Sequence, residues 1–265
     1  MWNLPKPDIE TSINEIDDVI AHSNNMSPGD KQHIETLYRE YDSNGGSIST
    51  QRHSTVPYNI KSGLKTAYPK TYKDGNHYYI RQRLVSGITL CPICSIGRAT
   101  TLDHHLPQSL FEALSVCGNN LVPMCRDCNW AKNASEKQLL HPYYDQLPVD
   151  RIFLNATIII TQHGGIHFKF TVDANVLTEE ALFDKLNNTI EDCELDSAFN
   201  MGLTEYVKNT LYGRGLDNME GIKTYIKGEL KRECEINGLN HWKTAVLRAI
   251  VSDPNITLDN LKPYL

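Results

Sequence analysis

The chain contains no apolar run near the roughly 18 to 20 residues that a membrane-crossing helix needs, which argues against a transmembrane segment. Its opening, Met1-Trp2-Asn3-Leu4-Pro5, lacks the basic and apolar regions of a secretory signal, so a cytoplasmic location is expected. No internal repeat and no low-complexity tract interrupts it. Positive charge is not in excess: 26 Lys and Arg stand against 32 Asp and Glu, a net −6 that speaks against a surface broadly coated for nucleic acid. An even cysteine count is missing as well. Of the seven cysteines, four fall in two Cys-x-x-Cys pairs, which without a signal segment favours metal binding over a disulfide framework. Cys117, Cys193 and Cys234 read as ordinary buried or free thiols.

What is present is a chain of 265 residues, 40% hydrophobic, enough to bury a sizeable core. Its charge is unevenly spread. Residues 1–49 carry three basic and nine acidic side chains, whereas residues 50–83 carry seven basic ones (Arg52, Lys61, Lys65, Lys70, Lys73, Arg81 and Arg83) against Asp74 alone. The positive charge therefore lies just before the first cysteine pair, where it suits a local phosphate-binding face or an ordinary solvated surface.

Patterning predicts a mostly helical chain. Ile9, Ile13, Ile16 and Ile20 mark a first helix within residues 8–25. Ser27-Pro28-Gly29-Asp30 opens a second, with a capping hydroxyl, proline at the first position and an early acid, running to Tyr41 and stopping at Asn44-Gly45-Gly46. Residues 47–60 read as a Ser/Thr-rich loop, with helix resuming over 61–67 and 77–86. The β-branched run at 151–161, the turn His163-Gly164-Gly165 and the alternating stretch 166–172 form a β-hairpin. Helices follow from Thr178 onward, a capping position with Glu179 and Glu180 behind it. Stripes at Ile222, Tyr225, Ile226, Leu230, Cys234 and at Trp242, Ala245, Val246, Ala249, Ile250 read as core.

The segment that carries chemistry reads Cys91-Pro-Ile-Cys94, Leu102-Asp103-His104-His105-Leu106-Pro107, Asn119-Asn120-Leu121-Val122-Pro123 and Cys125-Arg-Asp-Cys128-Asn129-Trp-Ala-Lys132. Two such cysteine pairs close a tetrahedral site with no open position, so a zinc ion there is structural. An iron site of rubredoxin type uses the same spacing. A plain zinc ribbon, however, has no need of Asp-His-His between the pairs or of Asn directly after the last cysteine. Phosphodiester hydrolysis needs a base to activate water and a cation to neutralise charge on the phosphate. A histidine meets the first need near neutral pH, and carboxylate and amide oxygens are hard donors suited to Mg²⁺.

These motifs resemble the HNH endonucleases of the ββα-metal superfamily, and most closely the zinc-containing bacterial kind. The resemblance rests on residues 102–107, 120–123 and 125–132 and on His141-Pro142-Tyr143, which follow in order within residues 91–145. It implies a β-hairpin bearing Asp103 and His104, followed by a helix beginning near Cys125. It also implies His104 as general base and Asp103 and Asn129 as ligands of a catalytic Mg²⁺ or Mn²⁺. Asn120 would pin the loop and orient the base, and Lys132 would face a phosphate. Where the family often has an aromatic residue stands His105, a second ligand or a packing residue. Gln108 replaces a frequent lysine. His141-Pro142-Tyr143 reads as packing or capping. His53, His77, His163 and His167 read as structural or solvent-facing.

The expectation is thus an α+β, mostly helical chain around a central ββα-metal zinc module with a β-hairpin after it. It divides into an N-terminal helical region (1–80), the module with its four-cysteine site (81–145) and a hairpin plus helical region (146–265). The expected activity is metal-dependent cleavage of phosphodiester bonds in DNA, with structural Zn²⁺ at Cys91, Cys94, Cys125 and Cys128. The resemblance further implies an ATPase partner in an antiviral defence system. The competing expectation is a zinc-stabilised DNA-binding or adaptor subunit without catalysis of its own.

Overall fold

A computed structural model describes residues 3–162, 165–177 and 179–264. The fold is α+β and mostly helical, with two small antiparallel sheets. It divides into two compact units that part between Gln146 and Leu147. Among the described residues, no helix is long and apolar enough to cross a membrane.

In the first unit, helix α1 (Ile9–Ala21) starts where the Asp8 carboxylate accepts from the backbone N–H of Glu10 and Thr11. That cap satisfies donors with no partner inside the helix. Its buried Ile13, Ile16, Val19 and Ile20 recur at helical spacing and face α2 (Lys31–Ser43). A 3₁₀ turn over Pro28–Asp30 leads into α2, with Ser27 and Asp30 in a reciprocal capping box. Ile34, Leu37, Tyr38 and Tyr41 form the buried face of α2. The 47–60 stretch holds more than a loop. Ser49 caps a short α3 (Thr50–Ser54) by accepting from Arg52 N–H, and α4 (Tyr58–Ala67) begins three residues earlier than expected. Helix α5 (Tyr78–Val85) follows.

Strands β1 (Thr101–His104) and β2 (Leu121–Met124) pair antiparallel, with Asp103 opposite Val122 and His104 opposite Leu121. Helix α6 (Arg126–Lys132) comes directly after β2. One hydrophobic core joins these parts: the α1, α2 and α4 side chains pack with Leu102, Phe111, Leu114, Val116 and Leu121. The described residues of the regions expected at 1–80 and 81–145 lie in one compact unit.

The second unit is built on the hairpin of β3 (Leu154–Ile160) and β4 (Ile166–Val172). Ile166, Phe168 and Phe170 point inward and alternate with exposed His167 and Lys169, the period of two that a half-buried strand requires. Of the expected turn, His163 and Gly164 lie outside the described residues, as does the expected cap Thr178. Helices α7 (Glu180–Asp192), α8 (Leu195–Leu211), α9 (Met219–Asn237), α10 (Trp242–Ser252) and α11 (Leu258–Leu261) complete the unit. Side chains of α8 satisfy the free edge of β4: Asn200 brackets Phe168 N–H and C=O at 2.9 and 2.7 Å, and Asp196 accepts from Phe170 N–H. An edge closed in this way offers no template to another strand.

Candidate active site and cysteine cluster

The four paired cysteines converge. Cys91 and Cys94 sit in a turn closed by the Leu90–Arg98 bridge and by Cys91 N–H donating to Gly97 C=O. Cys125 caps α6, and Cys128 lies in its first turn. The four sulfurs lie within 4.8 Å of one another and all four residues are buried. Cys94 and Cys125 Sγ stand 3.8 Å apart. Tetrahedral zinc with bonds of about 2.3 Å sets sulfurs about 3.8 Å apart. Backbone N–H groups of Ile96 and Cys128 point at Cys94 and Cys125 Sγ, each at 3.4 Å, as donors do to thiolates. Gly97 is required by this closeness, since a Cβ there would lie 2.7 Å from Cys125 Cβ. Hydrogen bonding to Cys125 and the other cluster sulfurs, with burial behind it, raises the Cys91 and Cys128 thiols far above their usual range, while hydrogen bonds within the same cluster lower Cys94 and Cys125. The cluster can bind a metal such as zinc.

The ββα element adjoins the clamp. By the strand period, Thr101 and Asp103 share one face of β1, and α6 packs on it. Thr101 Oγ1 donates to Met124 C=O at 2.8 Å, so its oxygen can only accept from Asn129 Nδ2 at 3.0 Å. That fixes the Asn129 amide and keeps its Oδ1 out of this bond. Asp103 is buried and its carboxyl raised above the usual range, chiefly by desolvation, with Lys132 acting the other way. Lys132 Nζ lies 2.8 Å from Asp103 Oδ2 and 2.8 Å from His104 C=O, its side chain 3% exposed. The expected phosphate-facing lysine is therefore an internal counter-ion, because a buried carboxylate needs an opposite charge.

His104 sits where β1 ends. Its Nε2 lies 2.9 Å from Ser115 C=O, which can only accept, so Nε2 carries the proton and Nδ1 keeps its lone pair. Tyr68 packs on the ring at 4.3 Å between centroids and donates to Leu102 C=O. Burial lowers the His104 pKa to about 4, the Ser115 contact opposes this and Lys132 adds to it, so the ring is neutral near pH 7. The His105 ring lies 3.9 Å from that of His141, the two planes tilted by 32°.

Asn120 locks the long loop between the strands. Its Oδ1 accepts from Leu106 N–H at 2.9 Å and from Tyr41 O–H at 3.1 Å. Its Nδ2 donates to Leu106 and Leu114 C=O at 3.3 and 3.4 Å. Every hydrogen-bonding site of the amide is used. Tyr41 in turn contacts His141 Nε2 at 3.1 Å, so buried His141, read from sequence as packing or capping, also supports Asn120 through Tyr41.

Sequence reasoning missed several neighbours, Ser115, Tyr68 and Tyr41 among them, since pairings across tens of residues leave no local pattern. The basic segment also differs from expectation. Arg52 pairs with Glu40 and Arg83 with Glu15, so acids of residues 1–49 neutralise part of it. Arg81 differs from these two: its guanidinium lies 4.4 Å from the Tyr72 ring, and its Nε and Nη2 are buried without a hydrogen-bond partner. Trp130, next to Asn129 on α6, is 81% exposed.

Among known proteins, the chain is 26% identical over 247 residues to protein ea31 of Escherichia phage lambda, covering 82% of this chain and 83% of that protein. No family model matches. No solved structure matches.

Proposed function

We propose that the chain is an HNH-type endonuclease that hydrolyses phosphodiester bonds in DNA. The observation that carries this reading is His104, neutral, proton-fixed on Nε2 by Ser115, and held where a ββα element meets a loop locked by Asn120. In this reading His104 Nδ1 takes a proton from water as its oxygen bonds to phosphorus. The bond from phosphorus to the 3′-oxygen breaks, and protonation of that oxygen leaves 3′-hydroxyl and 5′-phosphate ends. Asp103 and Asn129 are the hard donors that would hold Mg²⁺ or Mn²⁺, which supplies neutralisation of charge on the phosphate. Lys132 competes for Asp103 Oδ2, so loading requires that ammonium to give way. Zinc in the cysteine clamp has a structural role here, since four thiolates complete its coordination.

The test is plasmid cleavage with Mg²⁺ or Mn²⁺, an EDTA control, and His104→Ala with its zinc content measured. Cleavage that vanishes in the variant while zinc and fold remain supports the assignment, and full activity in the variant defeats it. The Asp103–Lys132 pair favours a second reading, a zinc-stabilised DNA-binding subunit whose carboxylate is permanently neutralised. Metal-independent DNA binding without nicking would select that reading.

A further inference from the structure

Away from the ββα element, three side chains of the first unit gather around one point. Asp18 lies in the last turn of α1, His22 is the residue that ends it, and His77 stands directly before α5. One ligand atom from each lies within 4.8 Å of the others. Asp18 Oδ1 is 3.2 Å from His22 Nδ1, and Asp18 Oδ2 is 3.0 Å from His77 Nδ1; His22 Nδ1 also donates to Asp18 C=O at 2.9 Å, a proton that an incoming metal ion would displace. Tetrahedral nitrogen and oxygen donors with bonds of about 2.0 to 2.1 Å stand about 3.3 Å apart, so small shifts would seat an ion among them.

Three further features fit a cation. The His77 side chain is wholly buried, so its ring is held in place beside Asp18. Its Nε2 is buried with no hydrogen-bond partner, so packing and the Asp18 contact alone hold the ring. The C-terminal end of a thirteen-residue helix carries partial negative charge and favours a cation. Lys70 uses that charge too, donating to His22 C=O at 2.9 Å, and its ammonium opposes a cation at the cluster. The Asp18 and His22 side chains are 42% and 43% exposed, which leaves a side open for water as a fourth ligand, with Tyr79 O–H on Asp18 Oδ2.

We infer that Asp18, His22 and His77 form a second metal site, one that takes a divalent transition ion such as Zn²⁺. Two imidazoles and a carboxylate select such an ion over Mg²⁺ or Ca²⁺, which prefer oxygen donors throughout. The ion ties the end of α1 to the chain entering α5. This site is independent of the nuclease reading and of the cysteine clamp.

The test is Co²⁺ titration of the metal-stripped full chain, followed by Zn²⁺ loading, desalting and elemental analysis. Only the cysteine cluster gives the strong thiolate-to-cobalt absorption. Uptake that continues after that band is complete, and the loss of one equivalent of Zn²⁺ in His22→Ala, support the second site. His22 is partly exposed, so its variant keeps the fold, which circular dichroism checks; Asp18→Asn provides a second variant. Saturation together with the thiolate band in the wild type, or retention of the extra equivalent in both variants, overturns the inference.

Discussion

The two units of the chain solve burial differently. In residues 3–146 the interior holds charge and hydrogen-bonding groups beside the aliphatic core: Asp103, Lys132, Asn119, Asn120, His77 and His141 are all buried. In residues 147–264 the interior is chiefly aromatic and aliphatic, with Phe170 edge-on to Phe199 at 4.9 Å and Phe199 stacked on Trp242 at 5.9 Å. Buried polar groups are costly unless satisfied, so they concentrate where chemistry needs a fixed geometry. The second unit also buries Glu233, which accepts from Asn237, and His241, but its Asn240 closes backbone: it accepts from Phe153 and Leu154 N–H and donates to Arg151 C=O. The difference teaches that the first unit is the one whose interior must hold a buried Asp–Lys pair and a locked amide in fixed geometry.

The strongest way to break this comparison is to deny the cysteine cluster a metal. Cys128→Ser, or a strong chelator, takes away a staple whose apparent binding energy in small zinc domains is about 10 to 16 kcal/mol. Hydrogen exchange should show residues 88–132 losing protection by several orders of magnitude while β3 and β4 keep theirs. Equal loss in both units would mean that the cluster is not a local staple.

Next in size comes the Asp103–Lys132 pair. Asp103→Ala leaves a buried ammonium without its counter-charge and should cost about 3 to 5 kcal/mol. Trp242→Ala, in the aromatic core, should cost about as much through a cavity. A second change separates them. Adding Lys132→Met to Asp103→Ala should restore much of the lost stability, because the stranded charge is gone, whereas no polar partner exists to rescue Trp242→Ala. Urea unfolding of the four proteins measures it, and an absent rescue would show that charge burial is not what the pair balances.

A smaller effect should appear with pH. His104 has its folded pKa lowered from 6.5 to about 4, so it stays a neutral base as pH falls through the usual histidine range. Below about 6.5 the unfolded chain takes up a proton that the folded one refuses, so stability falls between pH 6.5 and 4 and is level above. If His104 is the base, cleavage per folded molecule should be nearly flat between about pH 5 and 8 on its acid side. An acid limb near 6.5 would mean a solvated histidine instead.

The helical stripes of α1 and α10 were legible because burial repeats with the helix period, and the β3–β4 hairpin because alternation repeats with the strand period; of the α9 stripe, Ile222 and Ile226 are buried while Tyr225, Leu230 and Cys234 are half-buried. The cysteine pairs were legible because chelation fixes their spacing. Helix α3 was not, since a Ser/Thr-rich stretch looks like a loop until Ser49 caps it and buried His53 accepts from Ala113 N–H, 60 residues away. Lys132 was misread for a related reason. Its distance from Asp103 is set by the pairing of β1 with β2 and the start of α6, and no local pattern distinguishes an internal lysine from a phosphate-facing one. Among the basic residues, the long-range acids Glu15 and Glu40 decide which arginines are already paired.

The smallest effect on stability is also the sharpest on function. Trp130 is 81% exposed on α6, and Tyr212, 66% exposed at the end of α8, is a matching aromatic in the other unit. Replacing either by Ala should change stability by no more than about 0.5 kcal/mol, since neither fills a core. If α6 meets DNA, Trp130→Ala should weaken binding to a single-stranded or nicked duplex by about 1 to 3 kcal/mol, the worth of one aromatic–base stack. Tyr212→Ala should leave it unchanged. Fluorescence anisotropy at fixed salt distinguishes the two variants without requiring cleavage, so it tests the surface separately from the base. Unchanged binding by Trp130→Ala would move the DNA contact off α6 and leave the exposed tryptophan without a role in substrate binding.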